Sequence, residues 1–122
     1  MPASAELAGF IRSHFRSVWA LELVLHLRRH ADRPWSRDEL VVAFRASQAV
    51  IGTSLDNLLA GGLVVVGETG EVRYGPASES LERLVGDTAS LYASKPDSVR
   101  RLIVSPGGDI SAFADAFRLR RD

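Results

Sequence analysis

Hydrophobic and polar positions along the chain alternate with a helical period through most of its length. Phe10, Ile11, Phe15, Val18, Trp19, Leu21, Leu23, Val24, Leu25 and Leu27 predict a first helix over residues 6–31. Between residues 18 and 27 the apolar positions lie nearly all round it, so it must be covered on more than one side. Pro34 disfavours helical geometry at Arg33 and ends it. Ser36 and Glu39 have the spacing of a capping box. They predict a second helix to about residue 45 that buries Leu40, Val41 and Phe44. A third helix is expected over 47–60, with Val50 or Ile51, and Leu55, Leu58 and Leu59, turned inward. Gly61 and Gly62 end it, because glycine accepts the left-handed conformation at a helix C-terminus. "LVVVG", "ETGE" and "VRYG" read as strand, turn and returning strand. After Pro76, "SESLERLVGDTASLYAS" is helical again, with Leu81, Leu84, Val85, Leu91 and Tyr92 on its apolar face and Gly86 as a weak point. "DSVRRLIV" resumes the helix with Asp97 as cap. "SPGGD" is a turn. A last helix is expected in "ISAFADAFRLRRD", where Ile110, Phe113, Ala114 and Phe117 share a face, Asp109 caps the start and Arg118, Arg120 and Arg121 suit the negative end of the helix dipole. The fold class predicted is mainly α with a small β-hairpin.

Composition narrows the function classes. At 122 residues the chain reads as one domain. Fifteen basic and fifteen acidic residues cancel, whereas a dedicated nucleic-acid binder shows a basic excess. The absence of cysteine excludes disulfides, thiolate metal sites and cysteine nucleophiles. No stretch approaches the ~20 apolar residues of a membrane helix, and "MPASAELAGF" lacks the basic start and apolar run of a signal peptide. A cytoplasmic location without membrane contact is expected.

Candidate chemistry is sparse. His26 and His30 share a helix face, and Glu22 one turn earlier completes an arrangement that could imitate a metal site. A solvated helix face with pairs along the helix is the preferred explanation of the three, and no metal or cofactor is predicted. "GETGEVRYG" lacks the Lys-Ser/Thr ending of a phosphate-binding loop. No serine, histidine and aspartate fall in a recognisable catalytic context, so no enzymatic activity is expected. Trp19 is expected in the core, and Trp35 as the hydrophobic residue stapling the entry to the capped helix. Phe15, Trp19, Phe113 and Phe117 could line a small-molecule pocket, though core packing explains them equally.

The capped helix "SRDEL", the helix ending "LDNLLAGGLV" and the hairpin after it resemble a winged helix-turn-helix domain. "LLAGGLV" is similar to the "L-x-x-x-G-L-V" junction between recognition helix and wing in MarR-type bacterial transcription regulators. The likeness covers about residues 15–75. The flanking helices, including residues 76–122, are similar to the dimerisation helices of such regulators and imply a homodimer. The resemblance implies a small DNA-binding, transcription-regulator-like protein whose third helix enters the major groove. Ser47, Gln48, Thr53, Ser54 and Asn57 would be its exposed base-facing residues, and Arg73 would lie on the wing. Arg37 and Arg45 on the second helix, and Arg28, Arg29 and Arg33 near the end of the first, would reach flanking phosphates.

The pattern departs from that family in charge. Residues 46–72 hold no Lys or Arg and three acids, Asp56, Glu68 and Glu71. Basic residues common near Thr53 and Val66 in the family are missing. Cation–phosphate contacts supply most nonspecific DNA affinity through counterion release. The alternative expectation is therefore a winged-helix module that contacts a protein partner and does not bind DNA. Arginines clustered round the third helix would mark the first reading. Apolar or acidic surface there would mark the second.

Overall fold

A computed structural model describes residues 5–104. The element order is α1 (Ala5–His14), α2 (Val18–Arg29), α3 (Arg37–Phe44), α4 (Gln48–Ala60), β1 (Val64–Val66), β2 (Val72–Tyr74), α5 (Glu79–Ser94) and α6 (Pro96–Val104). The chain is mainly helical with one small antiparallel hairpin, as the periodicity predicts. The helix expected in the last residues lies outside the described part.

Four helix starts share one device. Ser17, Ser36, Ser47 and Ser78 each take an extended backbone and accept a hydrogen bond from the N–H three residues on. At Ser36 the box is reciprocal, because the Glu39 carboxylate also accepts from the Ser36 N–H. α6 begins instead on Pro96, which needs no N–H partner there. Asp97 therefore sits inside the first turn, paired with Arg100 at 3.1 Å, and is not the cap expected of it. α4 ends as expected, with Gly62 at φ +75°.

The first helix is two helices, contrary to the single helix predicted. Ser17 restarts the chain as the cap of α2. Phe15, in the break, is buried and meets Phe10 edge-on at 5.7 Å. The apolar period runs on through the break, which hides it from pattern reading.

α2 is the central element. Ala20, Leu21, Leu23, Val24, Leu25 and Leu27 are all buried. α4, α6 and β2 pack against it, α1 lies on α5 and α6, and α3 lies on α4. Ile51, not Val50, is the buried residue at the start of α4, followed by Leu55 and Leu58. Leu59 is 48% exposed rather than inward, and Trp19 is 42% exposed rather than core. Both lie on arcs of their helices that no described element covers.

The hairpin pairs Val64 with Tyr74, Val65 with Arg73 and Val66 with Val72. Its second strand also pairs outward. Trp35 and Val72 exchange two backbone hydrogen bonds of 2.8 and 2.7 Å. This tethers the hairpin to the segment before α3. On the other side, the Glu82 carboxylate accepts from Arg28 at 3.1 Å and from the Tyr74 hydroxyl, joining α2, β2 and α5. The Tyr74 hydrogen bond, helped by Arg28, holds the Glu82 carboxyl below its ordinary range. At Gly86, inside α5, the Arg28 guanidinium lies 3.1 Å from where a Cβ would stand.

Leu21 is fully buried at the centre of this arrangement. Leu21→Ala should lower unfolding free energy by about 2–5 kcal/mol. Urea denaturation measures it, and a loss below ~1 kcal/mol would contradict the central position of α2.

Candidate interaction face on α4 and the hairpin

α4 presents one side to α2 and α3 and the other to solvent. The structure places the five expected base-facing residues in very different positions. The Ser47 hydroxyl is engaged as the helix cap, accepting from the Val50 N–H at 3.1 Å. The Gln48 amide donates to the Asp38 carboxylate at 2.8 Å, tying α4 to α3. Ser54 is 3% exposed and faces inward, so its expected exposure is corrected. Helical geometry explains this: Ser54 falls on the same side as the core residues Ile51, Leu55 and Leu58.

Asn57 is half-buried and spans the break between α1 and α2. Its Oδ1 accepts from the Arg16 N–H at 2.9 Å, and its Nδ2 donates to the His14 carbonyl at 2.8 Å. Those backbone groups are left over where the first helix breaks. Asn57 is thus a clamp within the fold. Thr53 is the one of the five that is exposed with its hydroxyl unengaged.

The cations are also sorted. Arg28 is held by Glu82. Arg33 stacks over Trp35 at 3.6 Å and pairs with Glu39 at 3.3 Å. Arg29 and Arg73 are exposed, Arg73 opposite Val65 on the hairpin. Arg45 is exposed at the end of α3, where its own φ is +53°. Arg37 lies across α4, with its Nη1 3.1 Å from where a Cβ on Gly52 would stand. Neither Arg37 nor Arg45 forms an ion pair among the described residues. Arg16 was not anticipated. It borders a concavity of about 470 Å³ with Ser13, His14, Thr53, Asp56 and Asn57. The sequence signal for that cluster was the polar Thr53, Asp56 and Asn57 in the second half of α4.

Apart from Arg73 on the hairpin, the rest of the face is largely acidic or apolar. Asp56 and Glu68 are exposed, and so are Leu59, Val65 and Val66. A second concavity runs between the start of α3 and the hairpin turn. Asp38, Glu39 and Glu71 line it against a single cation, Arg37.

The histidine pair does not assemble a metal site. Glu22 accepts from the Tyr92 hydroxyl on α5. The His26 ring packs on Trp35 and Phe44 with Nε2 buried. Among the described residues no group of three potential ligands converges. Burial, and then His30, Arg29 and Arg33, lower the pKa of His26. Of the four residues suggested for a small-molecule pocket, Phe15 is buried in the core and Trp19 is exposed, while Phe113 and Phe117 lie outside the described residues. No family model matches the chain, and no curated protein or solved structure does either.

Asn57→Ala should lower stability by about 1–3 kcal/mol, because it strands two backbone groups. Thr53→Ala should change it by less than ~0.5 kcal/mol. Equal effects in thermal or chemical unfolding would show that Asn57 is not a clamp.

Proposed function

We propose that the chain is a non-enzymatic winged-helix module whose α4–hairpin face docks a protein rather than a DNA duplex. One observation carries the reading. The exposed part of that face is Thr53, Leu59, Val65 and Val66 with Asp56 and Glu68; residues 46–72 contain no cation, and Arg73, paired with Val65, is the single cation of the hairpin. Such a surface repels phosphates and forfeits counterion release. It complements an apolar patch ringed by Lys or Arg. The internal duties of Ser47, Gln48, Ser54 and Asn57 point the same way, since bidentate base contacts need free amides.

The second reading is DNA binding by a transcription-regulator-like homodimer, and it has its own support. Arg37 over Gly52, Arg45 and Arg16 surround α4 without acidic partners. Trp19 on α2 and Val104 on α6 are exposed apolar residues that a second copy could cover. No helix among the described residues is long and apolar enough to cross a membrane.

Retention on mixed DNA fragments over a salt series separates the two. Protein docking predicts no retention even at low salt, where attraction between exposed charges is greatest. DNA binding predicts retention that falls steeply with salt and largely disappears in an Arg37→Ala, Arg45→Ala double variant. A photo-crosslinker at Val65 should then capture a discrete protein in cells. Leu59→Glu should abolish that capture without changing the melting temperature.

A further inference from the structure

The segment between α2 and α3 contains a feature that the docking face does not use. The His26 ring meets Trp35 edge-on at 4.6 Å, with the ring planes at 70°. It meets Phe44 at 5.2 Å and His30 at 4.7 Å. Arg33 stacks over the Trp35 ring. Inside this box His26 Nε2 and Trp35 Nε1 are both buried, and neither has a hydrogen-bond partner. Unpaired buried polar atoms are uncommon because each costs about 1–3 kcal/mol. Here one of them belongs to the residue that tethers the hairpin, since Trp35 exchanges two backbone hydrogen bonds with Val72, and the other to the ring packed against it.

The groups facing His26 are a second imidazole, guanidinium groups and apolar rings. α2 contributes His30 and Arg29, the connecting segment contributes Arg33 and Trp35, and α3 contributes Phe44. The hairpin reaches the box through the Trp35–Val72 pairing. The nearby acids are engaged elsewhere, Glu22 with Tyr92 and Glu39 with Arg33. A neutral ring fits this box as an aromatic wedge. A protonated ring would carry a second N–H and a positive charge into it, with no acceptor among the described residues and the guanidinium groups of Arg29 and Arg33 nearby. Its relief is to swing to water, which leaves a gap beside Trp35 and Phe44.

We propose that this box is an acid-sensitive latch: protonation of His26 expels its ring, unseats Trp35 and releases the Trp35–Val72 pairing, so that the hairpin loosens from α3. The sign follows from linkage. Burial and the neighbouring cations hold the folded-state pKa of His26 below its ordinary value of 6.5. The latch therefore contributes its full stability above the unfolded pKa. That contribution is lost progressively as pH falls through 6.5 toward the folded value. The device is independent of what the α4 face binds.

The test is NMR on the full chain between pH 7.5 and 5. The His26 ring resonances give its titration midpoint. Amide exchange, corrected for the intrinsic pH dependence, gives protection at Trp35, Val72 and the core residue Leu58. The latch predicts a His26 midpoint below 6.5. It also predicts a roughly tenfold or greater loss of protection at Trp35 and Val72 that tracks this midpoint, one pKa unit of coupling being tenfold. Leu58 should keep its protection, and His26→Phe should abolish the loss. A midpoint at or above 6.5, unchanged protection, a parallel loss at Leu58, or the same loss in His26→Phe would each overturn it. If His26→Phe does not fold, the wild-type midpoints decide: coincidence of titration and loss of protection supports the latch, and separation overturns it.

Discussion

The covering of α2 on nearly every side is the constraint from which the rest of the structure follows. Half of its residues are buried, and they point in several directions. A helix with that distribution cannot rest on a single neighbour. α4, β2 and α6 each take one sector of it. Arg28, on the same helix, then reaches Glu82 and so links α5 to the Tyr74 side of the hairpin. The hairpin is short, and an isolated two-stranded hairpin is marginal in water. Its place depends on β2 meeting α2 on one side and Trp35 on the other.

Much of this architecture was legible in the sequence because it is encoded locally. A serine cap, a glycine stop and a change of period from 3.6 to 2 each act over a few residues. The Ser36–Glu39 box and the ends of α4 are of that kind. The break at residues 15–17 was not legible, since Phe15 and Val18 keep the helical period across it. Its partner, Asn57, is distant in sequence and adjacent only after folding. The same reason misassigned part of the site. On a helical wheel Asn57 and Ser54 read as polar and therefore exposed. Ser54 is carried inward by its neighbours Ile51, Leu55 and Leu58, and Asn57 is drawn in by the orphaned backbone of the break.

The face that remains is defined by what the fold has already used. Four of its five polar candidates serve as a cap, an inter-helix tie, a core residue and a clamp. Two of the nearby arginines are consumed by Glu82 and by Trp35 with Glu39. What is left in the open is Thr53, aliphatic surface, two acids, Arg73 on the hairpin, and the three arginines Arg16, Arg37 and Arg45 at the borders. The electrostatic character of the face thus comes from the subtraction of committed groups more than from residue counts, which balance to zero over the whole chain.

The Trp35–Val72 pairing also sets an order in time. The serine-capped helices are stabilised by contacts a few residues apart, and helices of this kind form within about a microsecond. The pairing joins the two ends of a stretch that contains α3, α4 and β1. Closing it early would cost the entropy of the whole loop. Closing it after α3 and α4 have docked costs far less, because the ends are already near each other. Loop-closure entropy thus favours securing the hairpin against Trp35 after the helices beneath it are in place.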